Sequence, residues 1–231
     1  MRAFNQVIDF KPKLKLITVQ TGITWREVQQ VIDPHDLSVK IMQDFTNFTV
    51  GGALSVNAHG RFMGMGPIIN SVKEIEIILA DGQVYEASRE KNSPLFFAAI
   101  GGYGGIGVIT QATLELISNS TIERSVTRMG FNDFLGYFNE SILNDESVVL
   151  HNALLYPPNY ESVLDVSWRI SEKPLTDEKR LREHDENNWW RPLLIDLMTR
   201  SDILKNIRKE VVDPLIFDKP AVVRRNWETS Y

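Results

Sequence analysis

Two glycine-rich segments and one histidine hold the residue types that could do chemistry in this sequence. The first segment, the predicted loop Thr49–Gly60, pairs glycines at positions 51 and 52 and carries His59 near its end, and the second is the predicted loop Gly101–Ile109. Glycine lets a backbone approach a ligand closely, and exposed N–H groups beside it can form a nest that binds an anion. A pyrophosphate is the anion we expect there, although an isolated glycine pair is more often a tight structural turn.

The second segment contains a formal GxGxxG pattern between Gly102 and Gly107. In a Rossmann-type dinucleotide site this pattern follows a strand and opens a helix, because the pyrophosphate rests on the helix N-terminus. Here the predicted order is reversed, since a helix ending near Ile100 comes before the segment and the strand Val108–Ile117 comes after it. The sequence context therefore disfavours a Rossmann-type site.

His59 stands beside Gly60 in a predicted loop, where an imidazole can donate a hydrogen bond, accept a proton or satisfy a local carbonyl. None of the other histidines pairs with a histidine or carboxylate at a metal-ligand spacing, so we expect no metal site. The sequence also contains neither a GxSxG elbow nor a Walker A pattern. Acyl transfer and NTP hydrolysis are therefore disfavoured.

The composition bounds the remaining possibilities. The chain has 231 residues, 43% of them hydrophobic, which is enough for one large globular domain or two smaller ones. Its net charge of −5 and the lack of a basic run predict no nucleic-acid partner. The absence of cysteine excludes disulfides, thiolate metal sites and a cysteine nucleophile. No stretch approaches the roughly 18 apolar residues of a membrane span or resembles an export signal, so we expect a cytoplasmic protein.

The elements that must position the glycine segments can be predicted from local patterns. Thr24 and Glu27 form a capping box that opens a helix over Trp25–Ile32, and Asp81–Gly82 is a hairpin turn. The other predicted elements are the strands Lys13–Thr21, Ser71–Leu79, Gln83–Ala87 and Val108–Ile117 and the helix Leu95–Ile100. This order of elements is typical of an α+β domain rather than of an alternating parallel sheet.

The pattern changes after Ser118, where we predict a second, smaller α+β unit. Its predicted elements are the helix Phe131–Leu143, the strand Ser147–Tyr156 and the amphipathic helices Leu193–Ile207 and Val211–Phe217. The sequence therefore predicts two domains, residues 1–117 and residues 118–231.

Taken together, the two glycine segments resemble one family. Val-Gly-Gly-Ala-Leu-x-x-Asn-x-His-Gly is followed by a strand pair closed by Ala-Asp-Gly, and then by Leu-Phe-Phe-Ala-Ala-Ile-Gly-Gly-x-Gly-Gly-Ile-Gly-Val-Ile-Thr. This order, over Lys13–Ile117, resembles the FAD-binding domain of PCMH type found in FAD-linked oxidases of the vanillyl-alcohol oxidase and p-cresol methylhydroxylase superfamily. The likeness is greatest to decaprenylphosphoryl-ribose oxidases and to aldonolactone or sugar-alcohol oxidases.

The resemblance implies that FAD is the cofactor and assigns residues to it by position. Asp44 lies where the family's loop first meets the flavin, and Ile109 matches a backbone contact on the adenine side. The segment facing the pyrophosphate is Thr49, Val50, Gly51 and Gly52, and the segment along the ribityl chain is Val56, Asn57, Ala58 and His59. Because His59 is the titratable group that the family places near the flavin ring, it is also the candidate catalytic residue.

The function implied is hydride transfer to flavin from a hydroxyl-bearing carbon of a small molecule such as a sugar, polyol or aldonolactone. Family members have a further glycine-rich subdomain before the strand at Lys13 and continue beyond the last residue of this sequence. We therefore expect a piece of a longer enzyme, with residues 118–231 opening its substrate or cap domain. The alternatives are a non-catalytic flavin-fold module and, with a poorer likeness, a related reductase that uses a nicotinamide donor.

Overall fold

The computed structural model describes residues 3–183, Asp196 and residues 201–230, and it confirms an α+β fold with antiparallel sheets. The chain forms two compact units, one of Met1–Ser120 with Arg225–Tyr231 and one of Thr121–Arg224. The last seven residues thus belong to the first unit, whereas the sequence places them in the second domain. The roles predicted for residues 1–117 and 118–231 stay predictions.

The helices and strands have the following bounds. The α-helices among the described residues are α1 Trp25–Ile32, α2 Val50–Ser55, α3 Ser93–Ala99, α4 Phe131–Phe138, α5 Asp202–Ile207, α6 Asp213–Phe217 and α7 Arg225–Thr229. The strands are β1 Val7–Lys11, β2 Leu16–Gln20, β3 Leu37–Val39, β4 Val72–Ile78, β5 Val84–Ser88, β6 Val108–Ser118, β7 Thr121–Gly130, β8 Val148–Leu155, β9 Ser162–Ile170 and β10 Val222–Arg224.

The first unit is built on an antiparallel sheet in which the long strand β6 is central. The strand order is β1-β2-β6-β4-β5, and β3 pairs with the far end of β6. Alternate side chains point to opposite faces, so Ile75 and Leu114 are buried while Glu74, next to Ile75, remains exposed. This sheet carries the start of β6, and with it the end of the second glycine segment.

Helix α1 begins where the sequence predicts. The Thr24 hydroxyl accepts a hydrogen bond from the Glu27 N–H at 3.2 Å, and the Glu27 carboxylate accepts one from the Thr24 N–H at 2.7 Å. This reciprocal cap satisfies two helix-end donors, and such caps stabilise a helix by about 1 kcal/mol. Trp25, Val28 and Ile32 then pack fully buried in the core. The start of α1 lies beside Thr49, because the backbones of Thr24 and Thr49 form an isolated bridge.

The second unit is an antiparallel sheet in the order β10-β7-β9-β8. Strand β9 is buried on both faces, since Leu164 and Val166 pack on one side and Asp165 and Ser167 lie on the other. The predicted strand Ser147–Tyr156 is present as β8.

Two π-helical turns occur in the described helical parts of the second unit. The predicted helix Phe131–Leu143 is α4 followed by a π-helical turn over Asn139–Leu143. A second π-helical turn, Arg208–Val212, joins α5 to α6. Part of the predicted helix Leu193–Ile207, namely residues 193–195 and 197–200, lies outside the described residues.

Candidate functional site

The first glycine segment begins as a helix rather than as the open loop that the sequence suggested. The Thr49 hydroxyl accepts a hydrogen bond from the Gly52 N–H at 3.1 Å, so Thr49 is the N-cap of α2. The expectation of a continuous loop over Thr49–Gly60 is therefore wrong for Val50–Ser55. The hydroxyl cap at Thr49 offsets the low helix propensity of the glycine pair.

The amides of the glycine pair do not form the anion-binding nest that we expected. The Gly51 N–H donates to the Thr21 carbonyl at 2.7 Å, and the Val50 N–H donates to the Ile23 carbonyl at 2.9 Å. The Gly52 N–H is held by Thr49. A Cβ on Gly51 would lie 2.9 Å from the Thr21 carbonyl oxygen, so this glycine serves a close approach of two backbones. The assignment of Thr49, Val50, Gly51 and Gly52 to FAD stays a prediction that requires atoms other than these three amides.

The two glycine segments lie against each other although they are far apart in the sequence. The Gly101 N–H donates to the Leu54 carbonyl and the Tyr103 N–H to the Ser55 carbonyl, each at 2.9 Å. Gly101 has a φ of +87°, a left-handed conformation that is typical of a glycine following a helix. The end of α2 and the start of the second glycine segment therefore form one continuous surface.

Thr21 connects the same two segments through hydrogen bonds, and no motif in the sequence singles out this residue. This residue is fully buried; its carbonyl holds Gly51, and its hydroxyl donates to the Ile109 carbonyl at 2.5 Å. Its own N–H donates to the Thr110 carbonyl at 3.0 Å. The only local signal is a threonine before the Gly22 that ends β2. Because Thr21 occupies the Ile109 carbonyl, the predicted backbone contact of Ile109 with the adenine stays a prediction.

His59 is exposed at the end of the first segment, and the residues beside it are held in place. Asn57 adopts a left-handed φ of +46°, and its side-chain oxygen accepts from the Ile69 N–H at 3.2 Å. The Ala58 N–H donates to the Ala53 carbonyl, and the Ala58 carbonyl accepts from the Ile68 N–H. The imidazole of His59 is thus presented to solvent from an ordered backbone, in a position to hydrogen-bond a ligand.

The surface around the joined segments suits a flat aromatic group. Tyr103 is 79% exposed, and Val56, Ile106 and Val108 are about half exposed. A Cβ built at Gly104 would meet no atom within 4 Å, so the backbone there is open to a neighbour. Exposed apolar side chains that cluster beside bare backbone mark a binding surface. The residues present therefore fit a flavin and its apolar ring system.

Asp44, the remaining predicted flavin contact, is joined to the residues that follow His59. Its carboxylate accepts from the Arg61 guanidinium at 3.0 Å, and its side chain is about half exposed. Asp44 can therefore face a ligand while it stays linked to Arg61. The structure thus brings Asp44 to the His59 segment, whereas Ile109 is connected to Gly51 through Thr21.

Comparison with known families identifies the first part of the chain. Residues 1–88 match the family model described as FAD binding domain. The chain is 36% identical over 108 residues to cytokinin dehydrogenase 1 of Arabidopsis thaliana, which is 46% of this chain and 19% of that protein. It is 33% identical over 113 residues to L-galactono-1,4-lactone dehydrogenase 2, mitochondrial, of Oryza sativa subsp. japonica, which is 49% of this chain and 19% of that protein.

Two further comparisons extend this result. The decaprenylphosphoryl-beta-D-ribose oxidase of Mycolicibacterium smegmatis is 30% identical over 123 residues, which is 52% of this chain and 27% of that protein. Among solved structures, a variant of Phl p 4, a glucose dehydrogenase, has a TM-score of 0.62 at 13% identity. This match covers 74% of the chain and 36% of that structure, and it shows a shared fold. The chain thus spans about a fifth to a quarter of these sequence relatives.

Two properties of the described residues bear on partners. None of the helices in the part of the chain that the structure describes is long and apolar enough to cross a membrane. Across residues 3–183 and 201–230, no group of three or more histidine, aspartate or glutamate side chains is placed to hold a metal ion.

Proposed function

We propose that this chain, whose first 88 residues match the family model described as FAD binding domain, is part of an FAD-linked oxidase that uses FAD, and that it takes part in hydride removal from a hydroxyl-bearing carbon. The substrate class we propose is a sugar, a polyol or an aldonolactone. The observation that carries the proposal is the single surface made by the two glycine segments, with His59 exposed at its edge.

FAD, when bound, supplies the group that accepts the hydride. The chain's own contribution is to bind and orient. The exposed backbone at Gly52 and Gly104 and the apolar side chains of Val56 and Ile106 offer a face for the cofactor. The imidazole of His59 can accept the proton of the substrate hydroxyl, because an imidazole nitrogen can act as a general base.

Two features support a carbohydrate-like substrate: the His59–Gly60 pair and the names of two relatives. One relative is named for a galactonolactone and another for a decaprenylphosphoryl ribose, whereas a third is named for a cytokinin. A hydroxyl substrate needs a base, and His59 supplies one. The proposal also includes a cytoplasmic location, which a cysteine-free sequence suits.

The experiment uses the natural full-length product that carries this chain, loaded with FAD and kept anaerobic. Bleaching of the visible flavin band is followed after adding an aldonolactone, a sugar alcohol or a cytokinin. We expect bleaching by the first two and a loss of rate of about 10²-fold or more in His59→Gln, with FAD still bound. The matched control is His35→Gln, which changes an exposed histidine outside the site.

Three results would contradict the proposal. A protein that retains no FAD removes the cofactor premise, and bleaching by the cytokinin alone removes the substrate class. Equal rates in His59→Gln and His35→Gln would show that the proton is accepted by another group.

A further inference from the structure

Helix α7 is bound to the first unit by polar side chains that are almost completely buried. Asn226 is 0% exposed, and its amide donates to the Asp33 carboxylate and to the Leu37 carbonyl, each at 2.8 Å. The Thr229 hydroxyl accepts from the Gln29 amide at 3.1 Å. A short helix with so few apolar side chains is not held by hydrophobic burial. Directional hydrogen bonds therefore determine where its remaining side chains lie.

Two other side chains of the same helix contact the two residues after Gly60. Glu228 is 2% exposed, and its carboxylate accepts from the Arg61 guanidinium at 2.9 Å. The Arg225 guanidinium lies 4.7 Å from the centre of the Phe62 ring and donates to the Lys40 carbonyl at 3.1 Å. Residues three positions apart share one face of a helix. One face of α7 thus holds both Arg61 and Phe62.

Two further contacts hold the same stretch from other directions. Arg61 also donates to the Asp44 carboxylate at 3.0 Å. A Cβ on Gly60 would lie 2.1 Å from the Met42 carbonyl oxygen, so the backbone at Gly60 is pressed against Met42. The stretch Gly60–Phe62 is therefore held from several sides, and His59 is the exposed residue directly before it.

We propose that Glu228 is a positioning residue for His59, acting through Arg61, with the contact of Arg225 on Phe62 as a second point of attachment. This inference rests on the proposed function, because it states how the imidazole is aimed at the flavin surface. The pair joins positions 167 residues apart, so the end of the described chain contributes directly to the geometry of the site.

The free-energy cost of burying these charged side chains indicates that their contacts serve to orient the residues that they hold. Burial lowers the pKa of Arg225 to about 9, which still leaves the guanidinium charged at neutral pH. Its Nε has no hydrogen-bond partner among the described residues. Buried charges add little net stability compared with well-packed apolar side chains, but they fix geometry because their contacts are directional. A chain that needed only a stable core would be served as well by apolar residues at these positions.

The experiment compares two variants of the natural full-length product that remove different anchors of α7. Glu228→Gln keeps the side-chain volume but removes the charge that holds Arg61, and Thr229→Val removes the hydrogen bonds of that hydroxyl with Gln29 and with the Arg225 carbonyl but leaves the Glu228 carboxylate in place. Each variant is measured for melting temperature, FAD dissociation constant and hydrogen exchange of the amides at 59–62 without FAD. Arg61→Gln, alone and combined with Glu228→Gln, completes a double-mutant cycle.

We expect Glu228→Gln to raise the FAD dissociation constant and the exchange rate at 59–62 by about tenfold or more. Thr229→Val should lower the melting temperature about as much as Glu228→Gln does. It should change neither the FAD dissociation constant nor the exchange rate at 59–62 by more than about twofold. The double variant should exchange no faster than Arg61→Gln alone, because both changes break the same contact.

Equal effects of Glu228→Gln and Thr229→Val on exchange at 59–62 would overturn the proposal, because they would show general loosening of the helix. Unchanged exchange in Glu228→Gln would overturn it as well. The proposed function fails separately if the unaltered protein binds no FAD, since the exchange measurement needs no cofactor.

Discussion

Buried polar side chains connect distant parts of the chain in the first unit and nearby parts of the chain in the second unit of this protein. In the first unit they join residues that are far apart in the sequence: Asp33 accepts from both Asn119 and Asn226, and the Asn226 N–H donates to the Asn119 side chain. In the second unit, the fully buried Asp165 is paired with His151 and accepts from the Tyr137 hydroxyl, and both lie within 28 positions of it.

The surroundings of the two clusters explain this difference. The imidazole of His151 contacts the rings of Phe134 and Phe138, so the second cluster fastens α4 onto its own sheet. The first cluster instead fastens α7, whose Glu228 reaches the residues after His59. We infer that substitutions in the first unit that disturb the contact of α7 with Arg61 change both stability and cofactor binding, whereas polar substitutions in the second unit change stability alone.

The strongest test of this contrast is Asp165→Ala in the second unit. The substitution leaves His151 and the Tyr137 hydroxyl without their buried acceptor, and we expect a loss of about 3–4 kcal/mol in unfolding free energy. Denaturant unfolding measures the loss, and an FAD titration under native conditions should show no change in affinity. Asp165→Asn, which keeps one acceptor oxygen, serves as the milder control. A weaker FAD affinity in the folded variant would break the contrast.

Gly60→Ala is the corresponding change in the first unit. The added Cβ would overlap the Met42 carbonyl oxygen, and the backbone must move to relieve this contact. We expect a loss of about 1–3 kcal/mol, the usual range for overpacking, together with a weaker FAD affinity. Denaturant unfolding and an FAD titration measure the two effects. A variant that loses stability but keeps its affinity would show that the His59 segment is independent of the site.

Tyr156 adds a pH dependence to the second unit. Burial, and then the hydrogen bond to Asp213 at 2.7 Å, raise the pKa of the Tyr156 phenol above its ordinary value of 10. The folded state therefore keeps this proton where the unfolded state loses it, so this contribution to stability is complete below pH 10. It declines as the pH rises further, by at most about 1.4 kcal/mol per unit.

Tyr156→Phe tests this dependence. The variant should lose about 1 kcal/mol at neutral pH and should show a shallower decline between about pH 10 and 11 than the unaltered protein. Urea unfolding at both pH values is the measurement. An identical decline in the two proteins would refute the role of this phenol.

The smallest effect is expected from Gly136→Ala in α4. A Cβ at this position meets no atom within 4 Å, so the substitution is accommodated without a clash. Replacing a glycine inside a helix should stabilise the second unit by about 0.5–1 kcal/mol. Denaturant unfolding should show this gain with unchanged FAD affinity. A loss of stability would indicate that the surface of α4 is covered.

The sequence predicted the features that depend on neighbouring residues. The capping box at Thr24 and the turn at Asp81–Gly82 are local, and both appear where expected. Helix α2 differs from the predicted loop because the Thr49 hydroxyl caps a helix that contains a glycine pair of low helix propensity. Helix α7 carries no comparable local pattern, since its contacts with Arg61 and Asp33 span 167 and 193 positions. The family resemblance predicts that the two glycine segments converge. It does not predict that amides of these segments are hydrogen-bonded to other parts of the protein.

The central claim is that the two glycine segments form one surface for FAD, and hydrogen exchange of the natural full-length product with and without FAD tests it most directly. Amides that the structure leaves without backbone partners in the second segment, at Gly104 and Ile106, should exchange more slowly when FAD is bound. The His59 amide in the first segment should slow at the same FAD concentration. Tight FAD binding that protects neither segment, or only one of them, would contradict the account.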